Sequence, residues 1–158
     1  MTLIVKLRPN VKFHPPISRV LTTDDVIYSF NRYVGDVPSV PISPEAGDTK
    51  RIFASWTATD ARTVRSALKQ PQANVLYRLA STYSPYLMPQ GADQLYKPDT
   101  TAMGTEPWIL DQAQQDVRML FRRNSEWHFG PERPYMDGFD IRFTAVGVTP
   151  GRRRLCGK

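Results

Sequence analysis

At 158 residues, with 41% hydrophobic and 23% charged side chains, the chain is long enough for one domain with a real core and too apolar to be disordered. Its formal charge of +6 is concentrated at one end: Arg152, Arg153, Arg154 and Lys158 carry four of those charges, which leaves +2 for residues 1–151. A nucleic-acid surface would spread Lys and Arg over one face with aromatics between them, whereas here Arg122 and Arg123 flank a strand end and the other bases alternate with acids. No nucleic-acid partner is expected.

In chain order, Leu3, Val5 and Leu7 alternate with Thr2, Ile4 and Lys6 before Pro9-Asn10 turns the chain into Val11–His14, which predicts a short hairpin or a bent strand. Pro15 and Pro16 lack amide donors and end it. "LTTDDVIYSFNRYVG" carries the strongest helix signal: Thr22 or Thr23 as cap, Asp24 and Asp25 at the positive end of the dipole, Arg32 in the last turn and Gly35 as terminator. Val26, Ile27, Phe30 and Tyr33 are expected on its buried face. Adjacent aspartates on a helix point about 100° apart, so Asp24 and Asp25 read as helix-start charges and not as an acid/base pair.

Val37–Asp48, with three prolines and one glycine, is expected to be a loop. Arg51–Ala58 and Thr63–Lys69 read as strands joined by "TATDAR", with Asp60 as the turn residue. Ala73–Ala80 has helical spacing, and Ala92–Tyr96 forms one helical turn. Between them "STYSPYLMPQ" is aromatic and hydroxyl-rich, broken by Pro85 and Pro89, and reads either as a binding surface or as a packing loop over the sheet. Trp108–Leu110 and Val117–Phe121 form the arms of a hairpin, and Phe139–Phe143 alternates cleanly as a last strand. Short strands with a few short helices make the chain α+β.

The single Cys156 cannot form an internal disulfide, and His14 and His128 lack zinc-ligand spacing, so neither metal nor cofactor is expected. Lys6 and Arg8 interrupt the apolar stretch an export signal needs, so residues 1–14 do not read as a signal peptide; either the protein is cytosolic or a leader lies outside this chain. No run of about 18 apolar residues is present, and no membrane span is expected.

The ordered segments "LRPNVKFH", "LTTDDVIYSFNRY", "DARTVRSALKQP", "GTEPWIL" and "FRRNSEWHFGPERPYMDGFDIRF" resemble the extracellular solute-binding proteins of family 5, the peptide- and nickel-binding components of ABC importers. Three positions depart from the family pattern. Pro15-Pro16-Ile17-Ser18 stands where Asp-Gly is usual, Trp127-His128 lies near the usual Tyr-Trp, and Glu106 replaces the second glycine of Gly-Thr-Gly-Pro. Because such a glycine commonly serves a positive φ or a close approach, Glu106 is expected to alter that turn.

The resemblance implies part of a periplasmic-binding-protein type II lobe, a mixed sheet with short helices, covering only the N-terminal stretch and lacking the second lobe. Residues 1–146 would form the partial lobe, with a subdomain of about 36–103 inserted between main-lobe segments, and 147–158 would be a basic tail outside the family pattern. That tail is read either as the mark of a truncated or frameshifted gene or as an authentic extension. The implied function is non-catalytic binding of oligopeptides or related small solutes in the periplasm or outside the cell, with an ABC permease as partner and Tyr83, Ser84 and Tyr86 as ligand contacts. A nonfunctional or interaction-only fragment is the alternative. A small hydrolase is disfavoured because the sequence has no Gly-x-Ser-x-Gly, no recognisable Cys-His pair and no glycine-rich phosphate loop.

Overall fold

A computed structural model describes residues 1–38, 40–82, 84–97 and 100–144. The elements are β1 (Thr2–Lys6), α1 (Thr23–Val34), α2 (Ala46–Ile52), β2 (Phe53–Asp60), β3 (Thr63–Leu68), α3 (Val75–Leu79), α4 (Ala92–Leu95), β4 (Trp108–Gln114), β5 (Arg118–Arg123) and β6 (Gly138–Arg142). The α+β class is as expected. In place of one mixed sheet, the described strands form two three-stranded sheets, β1-β3-β2 and β4-β5-β6, in which every pairing is antiparallel.

β1 does not pair with Val11–His14. It lies against β3, with Val5 opposite Val64, while Val11–His14 folds back on Arg19–Leu21: Leu21 N–H donates to Val11 O at 2.8 Å and Phe13 N–H to Arg19 O at 3.0 Å. Burial explains the choice, because Val11, Phe13 and Leu21 then share one apolar cluster.

Helix α1 begins and ends where its caps stand. Thr22 is extended, Asp25 accepts its backbone N–H at 2.8 Å, and Gly35 takes a left-handed φ of 81°. A Cβ at Gly35 would also press on Ile42 at 3.1 Å. The buried face differs from the expected one: Val26, Phe30 and Val34 are buried together with Asp25 and Ser29, while Ile27 and Tyr33 are half-buried. The polar pair is buried because it binds another segment of the backbone, described below.

Chain 46–52, read as the end of a loop and the start of a strand, is helical, and β2 starts at Phe53. Ala46, Thr49 and Ile52 recur every three residues on its buried side. β2 runs on to Asp60, so the connection to β3 is only Ala61-Arg62, pinned by Arg62 N–H donating to Asp60 Oδ1 at 2.8 Å. β4 likewise extends to Gln114, with a register shift between Leu110 and Gln112, and Val117 belongs to the turn rather than to β5.

Two of the three apolar clusters meet at the first sheet. Ile52, Phe53, Leu68 and Val75 form one, and Val26, Phe30 and Val64 the other, with Trp56 and Leu79 packed against both. On the second sheet Phe139 stacks on Phe121, ring centroids 4.7 Å apart, and meets Trp108 edge-on at 5.1 Å, but Ile141 and Phe143 on the same face are exposed.

Gly138 opens β6 opposite Arg122, and a Cβ there would collide with the Phe121 carbonyl oxygen. Gly138→Ala is therefore expected to part β6 from β5 at a cost of about 1–3 kcal/mol. Hydrogen exchange would show it as selective loss of protection in residues 138–142; unchanged protection would contradict it.

Candidate functional site

A groove of about 590 Å³ lies between the end of α3 with Ser84–Met88 on one side and Thr101–Glu106 on the other, with Tyr96 between them. That size lies within the range of small-molecule sites, roughly 300–1,000 Å³. Of the three expected contacts, Ser84 and Tyr86 line it, and Tyr86 leaves 74% of its surface exposed. Tyr83 lies outside the described residues.

The first wall is carried by α1. Ser29 Oγ accepts from Met88 N–H at 2.9 Å and donates to Asp25 O at 2.7 Å, and Asp25 Oδ1 accepts from Gln90 N–H at 2.8 Å. Two polar residues thus tie 88–90 to the helix by giving acceptors to two part-buried backbone amides. Further on, Arg32 grips the Asp93 carboxylate through Nε at 2.8 Å and Nη2 at 2.7 Å, and Tyr28 donates to it at 2.7 Å. The Arg32 hydrogen bonds hold the Asp93 carboxyl below its usual range against the opposing effect of desolvation. Burial pushes the Tyr96 phenol up to about 12, partly offset by the Arg32 charge, so Tyr96 faces the groove as a neutral side chain.

The second wall is held by His14, which is 3% exposed. His14 N–H donates to Gly104 O at 2.9 Å, Gly104 N–H approaches His14 Nδ1 at 3.4 Å, and His14 Nε2 lies 2.9 Å from Glu106 O. With an amide facing Nδ1, the network assigns the ring proton to Nε2, which donates to Glu106 O. Burial lowers the His14 pKa and the Arg122 charge adds to this, against the Glu106 carbonyl and carboxylate, so the ring is neutral near pH 7. Asn124 completes the clamp, its Nδ2 donating to Glu106 O at 3.1 Å and its backbone N–H to Pro107 O at 2.9 Å.

Glu106 is accommodated by the backbone of this turn. Neither Gly104 nor Glu106 has a positive φ, and a Cβ at Gly104 would meet nothing nearer than 3.8 Å. The turn has no need of glycine at either position, and the glutamate sits in it without backbone strain.

Sequence reasoning passed over His14, Asp25 and Ser29 as residues that position the groove. His14 was seen as isolated, and its partners at 104 and 106 are some ninety positions away. Among the described residues no group of three or more His, Cys, Asp or Glu could hold a metal ion, and no helix is long and apolar enough to cross a membrane.

The architecture is that of periplasmic binding proteins. Ninety per cent of the chain superimposes on 28% of MoaA from A. tumefaciens R10, solved with mannopinic acid, with a TM-score of 0.74 and 25% identity. It also covers 31% of DppA from Helicobacter pylori, an ABC transporter-associated periplasmic binding protein solved with the peptide STSA, with a TM-score of 0.75 and 23% identity. The chain belongs to the bacterial extracellular solute-binding proteins, family 5, whose model for the middle region matches residues 1–150. It is 29% identical over 133 residues to the dipeptide-binding protein of Escherichia coli (strain K12), a match covering 75% of this chain and 24% of that relative. The matched region is thus about a quarter of the curated relative's length.

Proposed function

We propose that this chain forms one wall of a peptide-binding cleft in the substrate-binding component of an ABC importer, acting outside the cytoplasm and performing no chemistry itself. The observation that carries the reading is the groove of about 590 Å³ lined by Ser84, Tyr86 and Tyr96, its two walls fixed by backbone hydrogen bonds to α1 and His14. Pre-set walls of this kind lower the ordering cost of binding. Tyr86 would pack against ligand side chains and Ser84 would exchange hydrogen bonds with peptide groups, with Tyr83, its neighbour in sequence, in the same role. The family's solute-binding role and its dipeptide-binding relative support this reading. An ABC permease is the implied partner. We also propose the lobe portion at residues 1–146, with about 36–103 as an inserted subdomain whose strands β2 and β3 join β1, followed by a separate tail at 147–158.

A second reading, association with another protein in place of solute binding, draws on the exposed Ile141 in the edge strand β6 and the exposed Phe143 just after it. Thermal shift and calorimetry with di- to pentapeptides separate the two. A bound peptide at a hundred times its Kd would add about 2.7 kcal/mol of stability, and Tyr86→Ala, at an exposed position, should cut affinity about tenfold while leaving the unliganded melting temperature unchanged. No stabilisation by any peptide would overturn the solute-binding reading.

A further inference from the structure

We propose that Glu106 is a specificity determinant of the groove, drawing ligands that place a cationic group, an ammonium or a guanidinium, at the mouth beside the 101–106 wall. The inference rests on the peptide-binding reading above and adds the charge of the ligand. Of the described side chains lining the groove, Glu106 alone is acidic or basic; the others are apolar, hydroxyl-bearing or phenolic. Its backbone is fixed by His14 and Asn124, so the carboxylate stands on a rigid base while the side chain itself reaches solvent.

Among the described residues the Glu106 carboxylate, like those of Asp24, Asp36, Glu45, Asp60, Asp116, Glu132 and Asp137, lies within ion-pair distance of no Lys or Arg, and of these acids only Glu106 lines the groove. Arg122 is paired with Asp111 at 3.2 Å, Arg8 lies over the Phe129 ring at 4.6 Å, and His14 and His128 both have lowered pKa values through burial. Among the described residues the groove therefore presents one acidic side chain without an ion-pair partner, next to an apolar and hydroxyl surface. A ligand cation placed there gains a charge-assisted hydrogen bond, and a ligand carboxylate is repelled.

Because Glu106 is exposed, the expected preference is modest and salt-sensitive. The test uses the full chain and four matched tripeptides: one with a central lysine, its norleucine counterpart, and the N-acetylated form of each. Calorimetry at low and at high salt reads the affinities. Loss of whichever cation occupies the site, the N-terminal ammonium or the lysine, should weaken binding about fivefold at low salt and less at high salt. Glu106→Gln should bring that ratio to about one while retaining affinity for the N-acetylated norleucine peptide, which has no cation, and Glu106→Asp should keep part of it. Tripeptide binding with no dependence on cation, or a ratio that survives in Glu106→Gln, overturns this inference and leaves the peptide-binding reading in place. Failure of all four to bind overturns this inference; extending that failure to every di- to pentapeptide overturns both.

Discussion

Truncating Phe30 to alanine is expected to remove about 3–5 kcal/mol of stability, the range for emptying a buried aromatic site. Phe30 is 8% exposed and lies between Val26 and Val64. Its ring meets Trp56 at 4.5 Å and Phe53 at 5.9 Å, and Trp56 is tied back to α1 by its indole N–H donating to Asn31 Oδ1 at 2.8 Å. These contacts join the helix to the first sheet, and little else can close over the gap, because Trp56 is held by its own hydrogen bond. Domains of this size have total stabilities of roughly 5–15 kcal/mol, so the variant should unfold at much lower urea concentration. Phe30→Leu, which refills most of the volume, should lose no more than about 1.5 kcal/mol. Leu79 and Leu87 pack on the same cluster and belong to the groove, so peptide stabilisation should fall with core stability. A loss under about 1 kcal/mol for Phe30→Ala in urea unfolding would show that the trio is not the joint between helix and sheet.

The elements read most surely from the sequence were those whose signals are local. Helix α1 has its acids, Arg32 and Gly35 within a dozen or so residues, and β6 alternates Phe, Asp, Ile, Arg. Helix α2 was hidden because its buried positions are Ala46, Thr49 and Ile52, two of them too small or too polar to show a period, and it follows a proline-rich run. The partner of β1 was not legible either. The alternation at Thr2–Lys6 fixes which side chains share a face, but the strand it pairs with lies some sixty residues on, and nothing in a local pattern selects between it and the nearer Val11–His14. The groove shows the same limit. The aromatic, hydroxyl-bearing segment could be seen, as could Glu106, yet the glutamate was read as a fault in a turn because the backbone angle that decides the matter is a property of the fold.

Asp25 is where this difference between local and distant roles has the largest energetic consequence. As a helix-start charge it would be worth about 0.3–1 kcal/mol, and its exposed replacement would be nearly silent. In the fold its side chain is fully buried and accepts hydrogen bonds from both Arg19 Nη atoms at 2.6 and 2.7 Å, from the Thr22 amide and hydroxyl, and from the Gln90 amide. Asp25→Ala should therefore cost about 2–4 kcal/mol, since it leaves two amides without acceptors; the lower half is favoured because Arg19, 43% exposed, can return to water. Desolvation raises the carboxyl pKa, but the Arg19 side chain, with the Gln90 and Thr22 bonds, outweighs it and holds the folded value below 3.8. The sign follows: unfolded chains take up the proton first as pH drops, so this contribution is full above about pH 4 and is lost as pH falls through the folded pKa. Asp93, also lowered, adds a second part to the same acid limb. In Asp25→Asn, melting temperature plotted from pH 7 to 2 should therefore show a shallower but still present decline, on a lower plateau. Hydrogen exchange distinguishes the positioning role from a purely global one. If Asp25 holds the groove wall, the Met88 and Gln90 amides should exchange faster by a larger factor than those of β3, whereas an equal acceleration everywhere would make its bond to Gln90 incidental to the site.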